Sequence, residues 1–472
     1  MNNLQTHETE PALKREIGLI DATLLVAGGM IGSGIFIVSA DIVRNVGSSG
    51  WLIVVWLIGG FMTLAAALSY GELSAMYPKA GGQYVYLREA YNPLVAFLYG
   101  WSLFAVIQTG TIAAVGVSFS KFLAYFLPWA SEDLVAFSVG NFKVSPAQVI
   151  AIGLIVFLTY VNKNGVRGGK IIQTVFTSTK LLSIIGLVIF GFIFFKADVW
   201  TMNWSKAWSL HKVDFDGISS AYVGKAAIGG AIASALVGSI MSYEAWNNVT
   251  FVAGEITNPK KNIGLSLLLG TVMVAAIYIL LNLMFTAVLP MDQIALTEKD
   301  RVGIAASEAI FGSNGTAIIA VLIMIATFGC NNGLILAGAR VYYSMGRDGV
   351  FFSKIAQLNK HAVPEFALWL QCIVACILCL SGRYGDLLDM ITFVAVIFYV
   401  LTIAGIFILR FTQPDTERPY KAPLYPFLPA LYILMGGAFC ILLIIYKPQF
   451  TWPGLMIALS GIPVYYLLKL RR

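Results

Sequence analysis

Apolar runs of about 20 residues recur from one end of this chain to the other, each long enough to cross a bilayer's hydrocarbon core as a helix. The first spans Ile17 to about Val43 and the last covers residues 452–470. A chain patterned this way has lipid as its solvent, where every backbone N–H and C=O must be satisfied from within. Helices meet that demand inside a single segment. The expected fold class is an all-α polytopic membrane protein of about twelve transmembrane helices.

Charge is sparse, 12% of residues against 58% hydrophobic. The net charge of +7 belongs to basic loops of a polytopic chain, not to a nucleic-acid partner. Lys and Arg concentrate in the loops that lie inside when the N-terminus is inside. This predicts a multi-pass protein of the cell membrane with both termini cytoplasmic. Cys330, Cys372, Cys376, Cys379 and Cys440 all fall in apolar runs. They read as small core residues, because no His or acid joins them in a metal-ligand pattern. No motif calls for a cofactor.

Within the first run, Gly28, Gly29, Gly32 and Gly34 fall in seven residues, Gly28-Gly29-Met30-Ile31-Gly32-Ser33-Gly34. Each glycine costs a helix about 1 kcal/mol relative to Ala. Packing against one neighbour needs small residues on one face only, whereas Gly32, Ser33 and Gly34 point around the whole circumference. The sequence therefore predicts a helix that breaks inside the membrane, its free backbone groups lining a cavity or holding a ligand. The sixth run repeats the theme. Small residues from Gly229 to Gly238 lead into Met241-Ser242-Tyr243-Glu244-Ala245-Trp246-Asn247-Asn248, a polar cluster unsuited to face lipid.

The second interruption lies five spans after the first. Matching breaks in two five-span halves point to an inverted-repeat transporter. The expected organisation is a cytoplasmic tail at 1–16, a first repeat at 17–196 and an extracellular loop at 197–225. A second repeat follows at 226–410, then a cytoplasmic linker at 411–425 and two further helices with a short tail at 426–472. Lys180 lies ten residues past Lys170, about 15 Å along a helix. A lysine stem cannot snorkel that far, so its ammonium is expected in a polar interior beside hydrogen-bond acceptors or an acid. Gln108, Thr109 and Thr111 are expected to cross-link helices. Asp21 is expected to be solvated or to cap local structure. Glu72 is expected to face an inner vestibule or reach water. The three histidines, His7, His211 and His361, lie outside the spans. They form no catalytic arrangement, and an enzyme is not expected.

Together these segments resemble the amino acid–polyamine–organocation superfamily, in its L-type amino acid transporter branch. The likeness rests on Gly32-Ser33-Gly34-Ile35-Phe36, Lys180-Leu181-Leu182, Tyr243 to Trp246, Gly254-Glu255 and Asn258-Pro259. It continues through Phe328-Gly329, Asn332-Gly333, Arg347-Asp348-Gly349 and Glu417-Arg418-Pro419-Tyr420-Lys421. The resemblance implies a five-plus-five fold with an amino acid held between broken helices one and six. Its carboxylate would take N–H bonds from Gly32, Ser33 and Gly34. Its ammonium would meet the carbonyls of Met30, Ile31 and Met241 or neighbours such as Ser242. Glu244 and Asn247 would complete the substrate site, with Trp246 and Asn332 in gating roles. Lys180 would occupy the place that sodium takes in related sodium-coupled carriers, which favours sodium-independent exchange of neutral L-amino acids. A carrier of cationic amino acids or polyamines, with Glu244 as counter-charge, and a proton-coupled symporter are the alternatives.

The chain departs from the family pattern at Met241, where an aromatic gate is common, and at Glu244-Ala245, where a glycine usually follows the acid or another glycine. Eukaryotic relatives join a single-span subunit through a cysteine after span three. That cysteine is absent here, so no disulfide-linked heavy-chain partner is expected.

Overall fold

The computed structural model describes residues 15–139, 142–381 and 384–470. Most of the tail expected at 1–16 lies outside them. The first run folds as two helices, α1 (Leu19–Met30) and α2 (Gly34–Val46), meeting at a 42° bend. Asp21 caps α1, its carboxylate accepting the Gly18 N–H at 3.1 Å. Long apolar helices follow at α3 (Ser49–Met76) and, after the short α4 (Gln83–Ala90), at α5 (Pro93–Leu123). Asn92 starts α5 as an N-cap, with Pro93 at the first helical position where its missing N–H costs nothing.

Next come α6 (Pro146–Asn162), begun by a Ser145–Gln148 capping box, and α7 (Val166–Ile193). The sixth run gives α8 (Lys225–Ser242), a non-helical stretch, and the one-turn α9 (Asn248–Phe251). The second half continues with α10 (Pro259–Val288), α11 (Val302–Arg347, interrupted at Gly312), α12 (Glu365–Ser381) and α13 (Tyr384–Thr412). The chain ends in α14 (Phe427–Tyr446) and α15 (Pro448–Leu470).

Among the described residues, nine helices are long and apolar enough to cross a membrane, or ten when the bent α1–α2 pair is one span. Helix α6 and the apolar part of α12, Glu365–Leu380, are shorter apolar helices at two of the expected positions. The loops are not wholly helical or irregular. β1 (Phe137–Val139) pairs antiparallel with β2 (Phe142–Val144), and β3 (His211–Val213) with β4 (Ser219–Ala221). The loop at 197–225 also carries a helix at Ala197–Ser205. The fold is helical in the membrane, with two small hairpins outside the spans.

Packing places the broken helices side by side. α2 lies against α8, α1 lies against α9, and α10 packs on both α1 and α3. α11 packs on α5 and on α7, and α7 packs in turn on α1 and α10. Glu72 corrects one expectation. It is 1% exposed, and Arg410 donates to its carboxylate at 2.9 and 2.7 Å. The Ala422 N–H adds a bond at 2.7 Å, and the Arg418 guanidinium lies 3.5 Å away. The expected linker at 411–425 is thus tied to α3 and α13 through one buried acid, which meets neither water nor a vestibule.

Candidate functional site: the gap between the broken helices

The gap in the first run is shaped by close approaches on three sides. A Cβ on Gly29 would lie 3.2 Å from the Ala245 carbonyl oxygen. One on Gly32 would meet Cys330 Sγ at 3.2 Å, and one on Gly34 would meet Ser242 Oγ at 2.7 Å. Three neighbours on different sides need three glycines, which is why the cluster does not follow one helix face. After Met30 the chain extends at Ile31 (φ −77°, ψ 90°), and α2 restarts at Gly34.

The last carbonyls of α1 carry the negative end of its dipole, and side chains satisfy them. Lys180, fully buried on α7, donates from Nζ to the Gly28 carbonyl and, at 2.8 Å, to the Ile31 carbonyl. Cys330 Sγ donates to Gly29 O at 3.1 Å. Tyr278 on α10 bridges both broken helices, its hydroxyl 2.8 Å from Met30 O and 3.1 Å from Ser242 O. Met30 O also accepts the Gly32 N–H at 2.9 Å. Lys180 therefore has acceptors, as its depth required, and among the described residues it has no acid partner.

These bonds occupy several of the groups that the resemblance assigns to the substrate. Gly32 N–H is already spent on Met30 O, and Met30 O has both lone pairs engaged. Ile31 O retains one lone pair beside Lys180. Met241 O accepts the Glu244 N–H at 3.1 Å. The N–H groups of Ser33 and Gly34, at the positive end of α2, meet no acceptor outside their own helix among the described residues. They are the groups left for an anion.

A small cavity of about 40 Å³ lies between the two gaps. Met30, Gly32, Ser33 and Gly34 line it from the first span, and Met241, Ser242, Glu244 and Ala245 from the sixth. Thr111, Cys330 and Leu334 close it from α5 and α11. A second cavity of about 10 Å³, room for a single water, lies beyond Glu244, with Tyr99, Gln108, Asn247 and Tyr399 among its walls. Glu244 borders both, and its carboxylate accepts the Tyr399 hydroxyl. A π turn at Leu103–Ile107 precedes Gln108, and such turns shift the register of the residues after them. Gln108 Nε2 cross-links to Leu334 O at 2.7 Å, as expected. Thr109 and Thr111 bond within their own helix.

The sixth-span gap opens through Ala245, whose φ of +70° is unusual for a residue with a side chain. Glu244-Ala245 thus unwinds without the glycine of the family pattern. Trp246 is buried against Tyr70 and Tyr399, with ring centroids 4.7 and 5.4 Å away. Asn247 donates to Gln83 Oε1 at 3.1 Å. Asn332 stands apart: its Oδ1 accepts from Asn162 on α6 at 2.8 Å, and it lines neither space. Sequence reasoning missed Tyr278 and Cys330, one an ordinary residue in an apolar run and the other a presumed core filler.

The amino acid permease family model covers residues 17–468. The chain belongs to that family. It is 30% identical to the serine/threonine exchanger SteT of Bacillus subtilis over 471 residues, 99% of both chains. It is also 30% identical to the human b(0,+)-type amino acid transporter 1, covering 98% of this chain and 90% of the relative. The human large neutral amino acids transporter small subunit 2 is 29% identical, over 97% of this chain and 81% of that one. The protein is thus an L-type-like permease of the amino acid–polyamine–organocation superfamily, a multi-pass membrane protein of amino acid transport and not an enzyme.

Proposed function

We propose that the protein exchanges neutral L-amino acids across the cell membrane by alternating access, without sodium. The observation that carries the proposal is the Lys180 ammonium, held by the Gly28 and Ile31 carbonyls at the broken helix with no acid partner among the described residues. A fixed cation there removes the need for a soluble one. The free N–H groups of Ser33 and Gly34 take the substrate carboxylate, and the remaining lone pair of Ile31 with sixth-span carbonyls takes the ammonium. Met241 and Ser242 close the pocket, and Glu244, Asn247 and Trp246 shape its far end.

The scaffold is twelve spans in a five-plus-five inverted repeat, with both termini cytoplasmic and α14 and α15 outside the repeat. No disulfide-linked subunit is needed, because the segment after α5 holds no cysteine. Support for exchange comes from the likeness to an exchanger along nearly the full chain.

The test is counterflow in proteoliposomes. Vesicles preloaded with unlabelled Ala, Ser, Leu or Arg are given labelled amino acids without sodium or a pH gradient. Uptake that requires internal amino acid supports exchange. Silence in every pair, relieved by an imposed proton or sodium gradient, replaces exchange with symport.

One observation favours a second reading. The Glu244 carboxylate borders both spaces and forms no ion pair among the described residues, so a cationic substrate side chain would find its counter-charge there. Counterflow of Arg or Lys that is lost in Glu244→Gln, with neutral exchange retained, selects that reading.

A further inference from the structure

Six residues beyond Leu334, which borders both spaces, α11 carries Arg340, about 9 Å further along the helix. Its side chain is completely buried. Nε donates to Glu255 Oε1 at 3.1 Å and one terminal nitrogen donates to Leu336 O at 2.7 Å. The other terminal nitrogen has no acceptor among the described residues. Glu255, also buried, follows α9 at the end of the sixth span. Its backbone carbonyl accepts the N–H groups of Glu16 and Ile17 at 2.9 and 3.0 Å. Thr257 N–H and its hydroxyl return bonds to Ile17 O at 2.9 and 3.1 Å.

Residues 16–17 and 255–257 are therefore clamped as one piece, joining the start of α1 to the end of the sixth span. One buried ion pair fastens that piece to α11. Opening the site toward this face by moving the inner halves of spans one and six away from α11 carries Glu255 off Arg340. A buried guanidinium stripped of the one carboxylate it meets among the described residues is strongly unfavourable. The cargo of an amino acid permease brings the same chemical group, and planar guanidinium suits a carboxylate whichever molecule owns it.

We propose that Arg340 is a second carboxylate position on the path to the face of residues 16–17. Glu255 occupies it while that path is shut, and the α-carboxylate of the substrate occupies it while the path is open. The proposal rests on the exchange reading and gives it a physical cause. Without cargo, opening leaves Arg340 bare, so the empty carrier crosses slowly.

The test compares apparent KM on the two faces in oriented proteoliposomes, using labelled L-serine or L-alanine. The double variant Glu255→Gln/Arg340→Gln leaves no unpaired charge. It should raise KM on the 16–17 face about tenfold, the value of one charge-assisted hydrogen bond, and leave the opposite face within about twofold. Glu255→Gln alone frees Arg340. It should lower KM on the 16–17 face and allow efflux without counter-substrate, and it carries the test if the double variant does not fold. Equal shifts on both faces, or none, overturn the proposal in favour of a purely structural ion pair. Absence of counterflow in the unaltered protein overturns the exchange reading instead.

Discussion

Replacing Lys180 with Met keeps most of the side-chain volume and removes the ammonium. The loss is two charge-assisted hydrogen bonds, to Gly28 O and Ile31 O, each worth about 1.5–3 kcal/mol. Against it stands relief of a buried charge that no acid neutralises among the described residues, an effective penalty of several kcal/mol. The opposing terms are of similar size, so global stability should change by no more than about 2 kcal/mol in either direction. Geometry does not cancel in this way. The ammonium spans the Gly28 and Ile31 carbonyls and so fixes the last turn of α1 and the extended Ile31 that follows. Without it two carbonyls lose their donor, and the N–H groups proposed for the substrate belong to Ser33 and Gly34, two and three residues past Ile31. Losing two such bonds at the site should slow exchange by at least about a hundredfold, equivalent to about 2.7 kcal/mol. The assay is initial-rate counterflow normalised to folded protein, with thermal unfolding in detergent as the control. Wild-type rates in a folded Lys180→Met protein would refute the role given to this residue.

Three other substitutions probe the same frame. Gly34→Ala places a Cβ 2.7 Å from Ser242 Oγ and should abolish counterflow, while adding Ser242→Ala removes that oxygen and should restore much of it. Tyr278→Phe keeps the ring contacts with Trp56 and Tyr243 but deletes the hydroxyl bridging Met30 O and Ser242 O; stability should fall by about 1 kcal/mol and KM should rise, measured by unfolding and by uptake. Glu72→Gln strips Arg410 of its carboxylate and should cost about 3–5 kcal/mol, seen as a lower unfolding temperature, with KM per folded molecule unchanged.

What was legible in the sequence had a local cause. The break in the first span could be read because glycines violate helix propensity where they stand, and their contacts with Ala245, Cys330 and Ser242 explain why no single face sufficed. The depth of Lys180 demanded acceptors, although periodicity cannot say which carbonyls they are. What stayed hidden depended on residues far away in the chain. Glu72 looked solvated because it lies near a helix end, and only the fold brings Arg410, 338 residues later, onto it. Tyr278 sits in an apolar run and becomes a bridge only when two broken helices converge on its hydroxyl. Asn332, to which the resemblance gives a gating role, accepts a bond from Asn162 on α6, a partner that no local pattern names.

The two gaps reach the same end by different physics. The first is permitted by its own residues, since glycine leaves room for the backbone of the sixth span. The second uses Ala245 in a left-handed conformation, which costs an L-residue roughly 1–2 kcal/mol, so something outside the segment must hold it there. Gly29 lets Ala245 approach this closely: a side chain there would sit 3.2 Å from the Ala245 oxygen and 3.4 Å from its Cβ. Asn248 N–H fixes the same carbonyl from below at 3.2 Å. The sixth-span gap therefore packs directly against the first. A substrate that bridges both gaps would act on a pair already coupled by contact. That coupling lets ligand affinity bias the conformational equilibrium without a separate relay.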